Sequence, residues 1–215
     1  MSILDILQGL WSGVPVALSL WASALALGIV LGALATAALR SRYRIARTVA
    51  AAWVALFRGI PPLVLLFAFF FGVTLGEWSP DAMGAAILGL GLVASAYLAE
   101  IFRESLDAVP ATQVEAARSL GVTRVDTLRF VLLPQSMPLI MAASGSFAIH
   151  LLKDTALASL IGVVDITYLA NYHVERGANG LAEFFVVGCL YLALSSVIAV
   201  AARLFGKRRD VAVAR

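Results

Sequence analysis

GVPVALSLWASALALGIVLGALATAAL, residues Gly13–Leu39, carries no charged side chain from end to end. A helix crossing a bilayer needs about 20 predominantly apolar residues, and this run exceeds that. Inside lipid every backbone amide and carbonyl must find a partner within its own segment, so such a run is helical. The uncharged stretch already begins at Leu7, and the first ten residues contain Asp5 but no Lys or Arg. A secretory signal needs a basic region ahead of a short apolar core. Ala24-Leu25-Ala26 mimics a cleavage site in composition only. The segment is expected to be a retained transmembrane helix.

Four further spans follow by the same test: a run within Val49–Gly76, then Met83–Phe102, Val131–Leu152 and Leu181–Leu204. Arg58 interrupts the second. Either one helix runs from about Val49 with Arg58 inside the bilayer, or a helix begins near Gly59 after an interfacial segment. The whole chain agrees with this class. Of its 215 residues 61% are hydrophobic and only 13% charged, against about 25% charged in ordinary soluble domains. Mean hydropathy is +0.94.

The net charge of +3 does not mark a nucleic-acid binder, because the basic residues sit in blocks between apolar runs with no aromatic-rich basic face. Those blocks set orientation, since Lys and Arg favour cytoplasmic loops. The first connection holds Arg40, Arg42, Arg44 and Arg47; the third holds Arg103, Arg118, Arg124 and Arg129; the tail holds Arg203, Lys207, Arg208, Arg209 and Arg215. The second, Val73–Ala82, offers only Glu77 and Asp81, and in the fourth Lys153 and Arg176 face Asp154, Asp165 and Glu175. The expected fold is an all-α membrane protein of five transmembrane helices, N-terminus outside and C-terminus inside, forming one domain over 1–215. Gly28 and Gly32 have GxxxG spacing, and Gly84, Gly89 and Gly91 mark the third span. They point to close helix packing within the subunit, with a dimer interface as the alternative.

The loop of about 107–134 is too organised for a passive connector. Pro110 breaks the third span, and Thr112-Gln113-Val114-Glu115 has capping-box spacing. A short helix is expected from about Gln113 to Leu120, followed by Gly121 as a left-handed residue. Thr123 with Asp126 is a weaker start signal for a second helix, and Leu132-Leu133-Pro134 returns the chain to the membrane. Helix, glycine turn and helix would lie across the cytoplasmic face, either docking a soluble partner or folding as an amphipathic hairpin on the membrane.

Glu115-Ala116-Ala117, then Gly121, Val131, Leu133 and Pro134, resembles the EAA loop of binding-protein-dependent ABC permeases, EAA-x3-G-x9-I-x-LP, with Val131 in place of Ile. The chain is similar to the polar amino-acid branch from Gly9 to about Arg203. Phe57-Arg58-Gly59-Ile60-Pro61 resembles its FRGxP segment, Tyr97-Leu98-Ala99-Glu100-Ile101-Phe102-Arg103 its AYxAExxR segment, and Leu152–Ser159 its LKDTSLAS segment, with Ala156 in place of Ser.

The resemblance implies a permease of the bacterial cytoplasmic membrane that works with an ATPase dimer, a second permease (identical or similar) and an external amino-acid-binding protein. The docking residues it implies are Glu115, Ala116, Ala117, Leu120, Gly121, Leu133 and Pro134. No GxxxxGK[ST] sequence is present, so ATP and Mg belong to the partner ATPase and no cofactor is expected on this chain.

Ionisable residues at membrane depth are costly and tend to mark function. Arg58 is one candidate for the substrate path, with snorkelling to the interface as its alternative. Lys153, Asp154 and Thr155 are the other. They interrupt two apolar stretches as a broken helix does near a transporter's substrate, unless they sit at the outer interface with Lys153 and Asp154 paired. A zwitterionic amino acid suits the set, with Lys153 or Thr155 toward its carboxylate and Asp154 toward its ammonium.

The remaining polar residues read more simply. Glu100 and Arg103 should pair as i,i+3 neighbours, Trp11, Trp53 and Trp78 should anchor span ends, and Cys189 should be a small buried residue. No catalytic or metal site is assigned. The rival class, a serine hydrolase using Ser144 or Ser146 with His150, requires a hydroxyl–imidazole contact.

Overall fold

The computed structural model describes residues 3–73 and 79–213, with side chains described as far as residue 202; Glu77 and Trp78 lie outside the described residues. Every regular element among these is helical. In order they are α1 (Ile3–Trp11), α2 (Gly13–Leu39), α3 (Arg44–Gly59), α4 (Pro62–Gly72), α5 (Ala82–Asp107), α6 (Ala111–Ser119), α7 (Arg124–Asp126), α8 (Leu133–Asp154), α9 (Ile166–Glu175) and α10 (Gly180–Val213). A π-helical segment, Thr127–Leu132, joins α7 to α8, and a 3₁₀ segment, Thr155–Ile161, continues α8.

Four stretches are long and apolar enough to cross a membrane: Gly13–Leu39, Ala82–Asp107, Arg124–Ile161 and Gly180–Ala202. A fifth crossing needs α3 and α4 together, which meet at a bend of 100°. The second expected span is therefore two helices. The cause is local: Pro61 and Pro62 lack amide donors and hold the preceding backbone extended, so Ile60 and Pro61 take ψ of 130° and 135°. At 1.5 Å per residue α4 is only about 16 Å long, short of the roughly 30 Å hydrocarbon core. Amphipathic α3 carries the rest, burying Ala50, Val54 and Phe57 while Ile45 and Val49 are exposed.

The centre of the fold is the α2–α5 pair. A Cβ on Gly28 would sit 2.5 Å from the Ala94 Cβ, one on Gly32 would sit 3.0 Å from the Ser95 carbonyl oxygen, and one on Gly91 would sit 2.6 Å from Leu27 Cδ2. The small residues let these helices approach backbone to backbone, so the glycine spacing serves packing within the subunit. Thr36 Oγ1 seals the seam by donating to Gly32 O (2.8 Å) and Ala99 O (3.0 Å). Around it pack Leu20, Leu66, Leu90, Leu98 and Leu151. Trp21 Nε1 donates to Ala148 O at 2.8 Å and ties α8 to α2.

Some expectations change. Trp53 is not an anchor at a span end; its Nε1 donates to Ser95 Oγ at 3.0 Å in mid-bundle. Cys189 is exposed on α10 and not buried. Lys153–Thr155 do not break the chain: the α-helix tightens to 3₁₀ at Thr155 and runs on to Gly162.

Candidate functional site: an exposed end loop and a charged face within the span

Past Asp107, Pro110 ends the long helix and α6 begins at once. The helix starts at Ala111, with Pro110 at the cap position and no side-chain cap bond. Thr112 is therefore already helical, so the capping box at Thr112 and Glu115 does not form. Proline's fixed φ starts the helix one residue ahead of the hydroxyl. The other end forms as expected. Gly121 takes φ +76°, and the amides of Gly121 and Val122 donate to Arg118 O (2.9 Å) and Ala117 O (3.0 Å). This is a Schellman closure, which needs a left-handed residue at the glycine position.

The second helix then starts on its own hydroxyl. Thr123 Oγ1 accepts from the Asp126 amide at 3.2 Å, and donates to Asp126 Oδ2 at 2.6 Å. The weaker of the two start signals is the one realised.

Helix α6 has two faces. Ala117 is buried, and Val114 and Arg118 turn toward the bundle. Glu115, Ala116, Ser119 and Leu120 face away, Leu120 with 82% of its surface exposed. Leu133 is half-buried and Pro134 exposed at the start of α8. Ion pairs hold the loop's root, where Asp107 is shared between Arg40, which caps α2, and Arg103 (3.4 Å).

The second constellation lies on a face of the bundle, where Arg58 and His150 are exposed. Arg58, the penultimate residue of α3, is 3.8 Å from Glu100 and sits over the Tyr97 ring, 5.2 Å from its centroid. Arg103 shares Glu100 at 2.8 Å, the expected i,i+3 pair. Glu100 is seven residues from the end of α5, about 10 Å of helix.

The Tyr97 ring stacks on Phe147 at 5.4 Å, and Phe147 lies 6.5 Å from the His150 ring. His150 Nε2 is 3.5 Å from Asp154 Oδ2. Arg58 and Asp154 thus belong to one continuous ladder: Glu100, Arg58, Tyr97, Phe147, His150 and Asp154.

The other two candidates part company. Lys153 is exposed and enters no ion pair among the described residues; Asp154 pairs with His150 instead. Thr155 is fully buried, its hydroxyl donating to Leu152 O at 2.6 Å. The sequence offered His150 only to the rival hydrolase, although its i,i+4 spacing to Asp154 was visible. Ser146 donates to Ala142 O at 3.2 Å within its own helix and the Ser144 hydroxyl is buried without a partner, so among the described residues neither makes the hydroxyl–imidazole contact that a hydrolase requires. Among the described residues no three potential ligands group as a metal site.

At the opposite end from α6, buried Asp165 caps α9 by accepting from the Tyr168 amide (2.8 Å), and also accepts from the Tyr191 hydroxyl (3.3 Å). It lies between spans, and burial pushes its carboxyl up to about 6. Fully buried Glu183 faces His173 Nδ1 at 3.3 Å. Nothing in the sequence spacing marked either cluster.

Apolar crossing helices, a short exposed helix at one end and a charge-bearing face between them define a polytopic membrane protein of the transport class. The chain belongs to the family described as "Binding-protein-dependent transport system inner membrane component", whose profile matches residues 24–211. It is an inner-membrane transporter component and not an enzyme.

Among its relatives are the octopine transport system permease protein OccM of Rhizobium radiobacter, 34% identical over 88% of this chain and 81% of the relative, and the histidine/lysine/arginine/ornithine permease HisQ of Escherichia coli, 29% identical over 86% of each. A solved structure described as an amino acid ABC transporter with histidines superposes with a TM-score of 0.89 at 28% identity, covering 97% of this chain and 99% of that one. The inward-facing MetNI methionine transporter shares the fold at TM-score 0.75 and 22% identity, over 95% of each chain.

Proposed function

We propose that this chain is the permease of an ATP-driven importer of polar amino acids, with its N-terminus outside, its C-terminus in the cytoplasm, and α6 as the element that docks the ATPase. The observation that carries the reading is α6 itself. It is a rigid two-turn helix closed by a Schellman turn, rooted by the Arg40–Asp107–Arg103 pairs and presenting small and apolar residues outward. Ala116 permits close approach, Leu120 offers an exposed apolar contact, and Glu115 supplies a charge at the rim. The basic blocks at this end support a cytoplasmic position for it.

The names of the relatives support an amino-acid substrate. The ladder supports a zwitterion, because it presents both signs: Arg58 for a carboxylate, Glu100 and Asp154 for an ammonium. Capture falls to the external binding protein, and a second permease, identical or similar, completes the path.

The test is ATP-dependent uptake of labelled amino acids into proteoliposomes, with co-purification of the ATPase scored alongside. Gly121→Val forces a β-branched residue to φ +76°, a conformation costing about 1–2 kcal/mol. It should abolish ATPase retention and uptake while leaving the bundle folded. Full coupling in that variant removes α6 from the docking role.

A further inference from the structure

Behind α6 a crevice of ≈ 780 Å³ opens between α2, α5 and the loop. Its walls are apolar, built from Ile29 and Ala33 of α2, Phe102 and Leu106 of α5, and Met137 and Ile140 of α8. Its mouth is basic. Arg40, Arg118 and Arg124 line it, and no carboxylate does. Asp107 holds Arg40, whereas Arg118 and Arg124 enter no ion pair among the described residues.

The depth is informative. From Ile29 to Arg40 the α2 wall rises eleven residues, about 16 Å, which is half of a roughly 30 Å hydrocarbon core. The crevice therefore has the length of one leaflet, apolar where acyl chains lie and cationic where headgroups lie. A water-soluble ligand matches only its mouth. Guanidinium groups suit phosphate, which they hold through paired hydrogen bonds, and basic pockets between membrane helices are suited to anionic headgroups.

We propose that this crevice binds one anionic phospholipid, its acyl chain along α2 and its phosphate between Arg118 and Arg124. The lipid would brace α6 from behind, since Val114 and Arg118 face the crevice while Glu115, Ala116 and Leu120 face away. The assignment does not depend on what docks on that outer face.

The test is native mass spectrometry of the purified importer, titrated with phosphatidylglycerol and, separately, with phosphatidylcholine of the same chains. One phosphatidylglycerol should bind per permease chain, roughly tenfold tighter than phosphatidylcholine. Arg118→Gln with Arg124→Gln should weaken it roughly thirty-fold. Ile140→Trp, which fills the apolar wall and leaves the arginines in place, should also displace it.

Retained ATPase in the same spectra reports docking separately from lipid. Unchanged affinity in both variants overturns the proposal, as does equal binding of the two lipids. Inorganic phosphate binding as tightly as the lipid would reduce the crevice to an anion site and overturn it as well.

Discussion

The two ends of this molecule are held together by different kinds of contact. At the α6 end, beyond the Arg40–Asp107 pair at its root, structure is made by neighbours in the chain: Pro110 starts a helix, Gly121 closes it, and Thr123 starts the next three residues from its partner Asp126. At the far end, structure is made by residues far apart in sequence. A Cβ on Gly13 would meet Ile166 N at 2.5 Å, Asp165 reaches Tyr191, and Glu183 reaches His173. Local chemistry can be altered with local consequences, whereas a knot of distant contacts fails as a unit.

The largest effect should come from tightening the far end. Gly13→Val places methyl groups against the backbone of Asp165 and Ile166, which cannot rotate away. A loss of about 3 kcal/mol is expected, at the upper end for overpacking, seen as a collapse of the thermal midpoint in detergent. A wild-type midpoint would break the comparison.

Asp165 offers a gentler probe. Its folded pKa stands at about 6 against 3.8 for the free group, so the folded state keeps a proton that the unfolded chain has already released. Stability from this group is thus greatest below about pH 4, falls as pH rises to about 6, and stays low above. Asp165→Asn keeps an oxygen for the Tyr168 amide and should flatten that fall. Persistence of the full slope in the variant assigns it to other groups.

The smallest effects sharpen the α6 end. Thr123→Ala removes a realised cap and should cost about 1 kcal/mol locally, read as faster amide exchange at Asp126. Thr112→Ala should change nothing measurable, because its hydroxyl caps nothing. Equal effects from the two would restore the capping box to Thr112.

This division also explains what could be read in advance. Uncharged runs announced the long helices, and the glycine spacing on α2 anticipated its tight packing on α5. The Gly121 turn was legible because its cause lies within six residues. The bend between α3 and α4 was half legible: the prolines were plain, but an angle of 100° depends on what α5 offers on each side. The ladder was read in pieces. Arg58 and Asp154 stood out as charges in apolar surroundings, yet their link runs through Tyr97 and Phe147, whose stacking no spacing along one helix encodes. Glu183 escaped for the same reason, its partner lying ten positions away, as did the link from Asp165 to Tyr191, twenty-six positions on.

The glycine seam between α2 and α5 has a mechanical consequence. Two backbones in contact have no soft side-chain layer to shear, and close-packed interfaces of this kind do not deform by fractions of an ångström. The pair is therefore expected to move as one plank. Helix α8, by contrast, meets it through side chains, with Phe147 and Leu151 in the shared core beside Trp21 and Tyr97, a layer that can shear. On that expectation the chain carries its own stator, and a disulfide locking α2 to α5 should leave transport intact where one locking α8 to α5 stops it.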